Sequence, residues 1–173
     1  NTLTFRAYRE IGGLEGAIAK YANGFYDKLS PKEQKALKEV LAMLIAKSST
    51  SDNTYVRKTV RIKELEENKV DRQLLDKLIE SHLFVSDKNS AGEATVTIAH
   101  EVLLRSWSVV TKWIESEKDF LNRNNYYEEL ARYWIENGRK KEDLIRERTR
   151  LYEAEFHHYK YRNRLTAETR AFL

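Results

Sequence analysis

Residues 94–113 read ATVTIAHEVLLRSWSVVTKW, and a change of period inside this stretch decides how the chain folds. From Ala94 to Ala99 the residues alternate, with Val96 and Ile98 on one face and Thr95 and Thr97 on the other, as in a half-buried strand. Beyond His100 the spacing lengthens. Leu103, Trp107, Val110 and Ile114 recur at helical intervals, and Val102, Val109 and Trp113 widen the same apolar stripe. The pattern predicts a strand running straight into one long helix, from His100 to about Leu121, with His100 and Glu101 at the corner. The first amides of such a helix are unpaired and its dipole favours negative charge, so the corner suits either an anion or a simple cap.

Working back from the corner, Leu83 to Val85 reads as a strand, and the turn-rich DKNSAGE of residues 87–93 lets it pair with Ala94 to Ala99 as a hairpin. Val70 to Ser81 is an amphipathic helix that buries Leu74, Leu75, Leu78 and Ile79. Ile62 to Glu67 is a short helix, Tyr55 to Val60 a short strand, and Ser48 to Asn53 a polar loop. Ser30-Pro31-Lys32-Glu33 is a helix start: a serine cap, proline in the first turn and an acid three residues after the cap. The helix it opens carries Leu37, Val40, Leu41, Leu44 and Ile45 and fades at Lys47-Ser48. Further back, Leu14 to Leu29 forms a helix with Leu14, Ile18, Tyr21, Ala22 and Phe25 along one side. Gly12-Gly13 separates it from a brief helix over Thr2 to Glu10.

Working forward, helices are expected over Asn125 to Glu136 and Glu142 to Tyr161, with another beginning at Thr166 and Glu168. Asn137-Gly138 ends the first of these. Leu130, Tyr133 and Trp134, and likewise Tyr152, Phe156 and Tyr159, recur at helical spacing and are read as core. The fold expected is mainly α: a winged-helix domain with a small β-hairpin over residues 30–116, preceded by the end of a helical domain over 1–29 and followed by a helical segment over 117–173.

Composition bounds the function. The 173 residues hold 31 basic and 27 acidic side chains, a net charge of +4 spread along the whole length. That is weaker than the clustered basic face of a dedicated nucleic-acid binder. Cysteine is absent, which excludes disulfides and thiolate zinc sites and fits a reducing, cytoplasmic setting. No apolar run approaches the roughly 20 residues of a membrane span. Neither G-x-x-x-x-G-K-[ST] nor G-x-G-x-x-G occurs, His100-Glu101 does not continue as H-E-x-x-H, and no serine sits in a nucleophile elbow. His157 and His158, with Glu153 a turn earlier, point about 100° apart on a helix and make a poor metal pair. No independent enzyme is indicated.

Two stretches carry a family resemblance. IGGLEGAIAKYANGFYDKL at residues 11–29, followed after the winged helix by IAHEVLLRSW at 98–107, resembles the STAND NTPases, the signal-transduction ATPases related to NB-ARC switches. The likeness is to the prokaryotic branch, whose members often end in WD40 repeats. It implies a parent ATPase that binds ADP or ATP in an upstream phosphate-loop domain, of which this chain is a downstream part, with sensor repeats beyond it and homo-oligomers on activation. Gly13-Leu14 resembles the glycine-leucine element that closes over the nucleotide, although Glu15 stands where eukaryotic relatives usually have proline. His100-Glu101 is similar to the histidine-acid pair whose histidine contacts the β-phosphate of ADP and holds the closed state. The expected role is thus regulatory, with His100, Glu101, Gly13 and Leu14 as the nucleotide-contacting residues.

From the residues alone two roles stay open for His100: donor to a phosphate, or helix cap packed on Trp107. Two rival functions remain as well. One is a DNA-binding winged-helix regulator with a helical dimerisation tail, which the mixed charge of Asp71, Arg72, Asp76, Lys77 and Glu80 disfavours. The other is a helical adaptor docking a partner through exposed aromatics between Asn125 and Tyr161.

Overall fold

The serine-proline start is built as its sequence demands. The Ser30 hydroxyl accepts the Glu33 amide proton at 3.3 Å while the Glu33 carboxylate accepts from the Ser30 amide at 2.8 Å. Between them these bonds satisfy two groups that a bare helix end would leave unpaired. In the computed structural model, which describes residues 13–48 and 54–173, that cap opens the second of two helices, α1 (Gly13–Tyr26) and α2 (Pro31–Leu44). The helix expected over Thr2 to Glu10, Gly12, and most of the loop to Asn53 lie outside the described residues.

Leu37, Val40, Leu41 and Leu44 of α2 are buried, and its last apolar residue, Ile45, starts strand β1 (Ile45–Lys47) instead of ending the helix. The β-branched Ile45 takes φ −122° and ψ 133°, and β1 pairs antiparallel with β2 (Tyr55–Arg57). The strand expected over Tyr55 to Val60 is therefore two short pieces, β2 and β3 (Val60–Arg61), in different sheets. Next come α3 (Ile62–Glu67), α4 (Arg72–Glu80), β4 (Phe84–Lys88) and β5 (Ala94–Ile98). Strands β3, β5 and β4 form an antiparallel sheet in that order, with Val60 opposite Val96 and Phe84 opposite Ile98. Val96 and Ile98 face the core as alternation predicts. The threonines on the other face are not left to water, because Thr97 donates its hydroxyl to the Lys58 carbonyl and Thr95 to that of Asp87.

The long helix expected after His100 is not continuous. It is three: α5 (Leu103–Ser106), α6 (Ser108–Ser116) and α7 (Lys118–Glu136). At the first break Trp107 is extended (φ −79°, ψ 108°). The Ser106 hydroxyl bonds back to the Val102 carbonyl, and the Ser108 hydroxyl leaves the helix to meet Asn23 of α1 at 2.8 Å. Serines that find other partners weaken a helix locally. The gain is packing: Leu103, Leu104, Trp107, Val110, Trp113 and Ile114 are all buried, which one straight stripe would not achieve against this core. Helix α7 begins before Asn125 and ends as expected, with Gly138 in the left-handed region at φ 79°.

Helix α8 (Arg148–Tyr161) starts later than Glu142, after a single 3-10 turn over Lys141–Asp143, and a short α9 (Ala167–Phe172) follows with Thr166 as its cap. The aromatics read as core are a correction. Tyr133 (56% exposed), Tyr152 (70%), Phe156 (55%) and Tyr159 (88%) lie on the surface, and Leu130 and Trp134 are only half-buried. The inner face of α8 is instead Ala154, His157 and half-buried Tyr161, with the His157 ring stacked on Phe120 at 5.8 Å. The helix thus buries the face with fewer large side chains.

The last helices are tied to the sheet and helices before them. The Lys58 ammonium bonds Glu128 of α7 at 2.6 Å, and Arg170 reaches Asn68 at 2.6 Å. The Ala167 amide donates to buried Glu64, whose carboxyl burial holds above the usual range. The fold is mainly α with small antiparallel sheets.

Candidate functional site

The corner at residue 100 turns out to be a loop rather than a helix end. Strand β5 stops at Ile98, and residues 99–102 turn before α5 begins. The Leu103 and Leu104 amides, expected to be free, donate to the carbonyls of His100 and Glu101 at 3.0 Å each. A helix of four residues has little summed dipole in any case. The anion preference expected of a long helix start is thus weakened, and the side chains at the corner become the main candidates for binding.

Those side chains are exposed. His100 and Glu101 both face solvent, and His100 does not pack beneath Trp107, which is fully buried. The imidazole edges a groove of about 490 Å³. Ala17, Ile18 and Tyr21 of α1 form one wall, and Ser81, His82, Leu83 and Leu103 complete the lining. Helix α1 is held across this groove by contacts with α5 and α6, by Tyr21, whose hydroxyl donates to the Ser81 carbonyl at 3.0 Å, and by Glu15 bonded to Arg105 at 2.9 Å. The last pair is exposed and contributes little stability, but it fixes the start of α1 beside α5. Gly13 opens α1 with φ 67°, a conformation that favours glycine, and Leu14 points outward at 65% exposure. Of the four residues singled out in the sequence, Gly13 and Leu14 open α1 and His100 and Glu101 lie in the loop before α5, which packs against α1; only His100 lines the groove.

His82 is the residue that sequence reasoning missed. It follows the C-terminal cap of α4 with φ 58°, donates its amide to the Ile79 carbonyl, and lines the same groove as His100. Helices commonly place glycine or asparagine at that left-handed position, as α7 does with Gly138. A histidine there costs backbone energy that glycine would not, and such outliers gather at functional sites. The signal was readable in Ile79-Glu80-Ser81-His82-Leu83, a helix end running into a strand without its glycine.

Helix α4, which a DNA-binding reading would place in the groove of the duplex, has its cations engaged. Arg72 bonds Asp76 at 2.9 Å and Glu66 at 3.2 Å, and Lys77 bonds Glu33 at 2.6 Å. The Lys77 bond, helped by Ser30, holds the Glu33 carboxyl down at about 2. Among the described residues no group of His, Asp and Glu side chains is arranged to hold a metal ion, and no helix is long and apolar enough to cross a membrane.

The family model described as Novel STAND NTPase 1 matches residues 1–142 of the chain. No curated protein and no solved structure matches it.

Proposed function

Starting from the fact that this chain belongs to the Novel STAND NTPase 1 family, we propose that it is the nucleotide-state-sensing arm of a STAND ATPase. In this reading residues 30–116 are the winged helix, and the order helix, three short strands, two helices and β-hairpin, with β3 added to the hairpin sheet, supports it. The single observation that carries the reading is the placement of His100: exposed on a groove whose other wall is α1, the helix that begins with Gly13-Leu14. An imidazole there can donate an N–H to a phosphate brought by the parent's nucleotide-binding domain, and His82 lines the same groove. Since the Leu103 and Leu104 amides are already bonded, the histidines would carry most of the contact.

The mechanism is a two-state switch. ADP, held between the upstream domain and His100, favours the closed form. Exchange for ATP removes that differential contact, the winged helix moves away, and assembly surfaces are freed. One charge-assisted phosphate contact contributes about 1.5–3 kcal/mol, which shifts a two-state equilibrium about 10- to 150-fold. That suffices for one element of a lock and not for all of it.

The test is His100→Ala in the protein that joins this chain to its phosphate-loop domain. ADP should leave about 10- to 150-fold faster and the variant should assemble without a trigger. Unchanged ADP retention together with an unchanged oligomeric state would reject the role.

A further inference from the structure

A second cleft, sharing no residue with the His100 groove, lies between the end of α8 and the turn after α3. Its volume is about 730 Å³, within the range of small-molecule sites. Four cations line it, Lys69, Lys160, Arg162 and Arg164, against two carboxylates, Glu39 and Glu117. Both carboxylates are already occupied. Arg164 grips Glu39 with two bonds, Nε at 2.7 Å and Nη2 at 3.0 Å, and reaches Glu117 through Nη1 at 3.0 Å. That clamp engages both acids with one guanidinium and leaves Lys69, Lys160 and Arg162 without a carboxylate partner among the described residues, so the lining of four cations and two carboxylates stays net positive. The Lys160 ammonium rests over the Tyr161 ring at 4.8 Å, which keeps its charge at the cleft instead of dispersed in solvent.

Lys69 supplies the independent observation. It sits at φ 64°, where its amide and that of Val70 close the end of α3 onto the carbonyls of Glu66 and Leu65. Gly138 does the same for α7, and its amide and that of Arg139 make the matching bonds. The two turns make matching bonds; at the first left-handed position α7 uses glycine, with Arg139 strained only one residue later at φ 58°, whereas α3 puts a lysine at that first position. The lysine that is kept at this cost lines the cleft. From this we infer that the cleft is a binding site for a small anion carrying two or more phosphates, held by Lys69 from one element and by Lys160 and Arg162 from another.

Isothermal titration of the whole 173-residue chain with inorganic pyrophosphate, at an ionic strength of about 0.15 M so that diffuse attraction is screened, tests it. Saturable one-to-one binding is expected, tighter than for orthophosphate because a single phosphate cannot occupy all three cations. Lys69→Gly relieves the turn while deleting the ammonium, so it should be the more heat-resistant protein and the weaker binder, by about tenfold or more. Arg162→Glu should abolish binding. Lys88→Glu, on the exposed hairpin away from the cleft, controls for net charge and should change nothing. No saturable binding by the parent chain, or a loss in Lys88→Glu equal to that in Arg162→Glu, overturns the assignment.

Discussion

Helices α6 and α8 both carry large apolar residues at helical spacing, and those residues have opposite fates in the fold. In α6 the large residues at helical spacing, Val110, Trp113 and Ile114, go inside together with Trp107 just before them. In α8 the large residues at helical spacing, Tyr152, Phe156 and Tyr159, stay outside, while Ala154 and His157 take the interior. Periodicity states which residues share a face. It does not state which face meets the core when both carry apolar atoms, as they do in α8, where Tyr161 backs the inner side. What decides is the surface already present. Phe120 and Tyr127 of α7 accept the flat imidazole of His157, and Arg164 anchors the exit of α8 to Glu39 and Glu117.

The comparison breaks first at Trp107. Its side chain is fully buried in the cluster that joins α1, α2, α4 and the sheet. Trp107→Ala should cost about 3–5 kcal/mol in chemical denaturation, a large share of what a domain of this size has to spare. A loss below about 1 kcal/mol would mean that the break between α5 and α6 is not there to bury this ring.

Much of this was legible in the sequence, and the failures share a cause. The cap at Ser30, the existence of the hairpin, the span of α3 and the buried stripe from Leu103 to Ile114 followed from local rules. The first hairpin strand, expected over Leu83 to Val85, runs instead from Phe84 to Lys88 and takes Asp87 and Lys88 from the expected turn, and α4, expected over Val70 to Ser81, starts only after its cap at Asp71. The errors arose where distant partners decide. Trp107 becomes extended because Ser108 finds Asn23, 85 positions away. Ile45 becomes a strand because Arg57 pairs with it. At the candidate site, His100 was visible as the residue where the period changes, while the amides of Leu103 and Leu104, expected to be free, close a local turn instead. His82 escaped because a left-handed φ leaves its mark only as the absence of a glycine.

His157 sharpens the comparison by a smaller margin. It is 2% exposed, neither ring nitrogen has a hydrogen-bond partner among the described residues, and burial, with the nearby cations of Arg123, Lys160 and His158, lowers its titration from 6.5 to about 4. A histidine that resists protonation when folded takes up its proton first in the unfolded chain. Stability is therefore fully present above about pH 6.5 and is lost as the pH falls toward 4, by at most about 1.4 kcal/mol per pH unit from this group. His157→Phe should raise stability at pH 7 by about 1–2 kcal/mol and flatten the slope in that window. A parent and variant with parallel pH profiles would show that the ring is not sealed under α8.

The smallest effect is expected on the outer face of α8, and its smallness is the point. Phe156 and Tyr159 are 55% and 88% exposed, so their removal returns little apolar surface to water. Phe156→Ser and Tyr159→Ser should each shift the unfolding free energy by no more than about 0.5 kcal/mol, against several for Trp107→Ala. Serine is about as good a helix former as either aromatic, so propensity cannot mask the result. If either variant instead lost about 2 kcal/mol, that ring would have to be buried, α8 would have to be rotated, and Ala154 and His157 would exchange places with the aromatics. The His157→Phe slope would then vanish as well, so the two measurements fix the same rotation of one helix from its opposite sides.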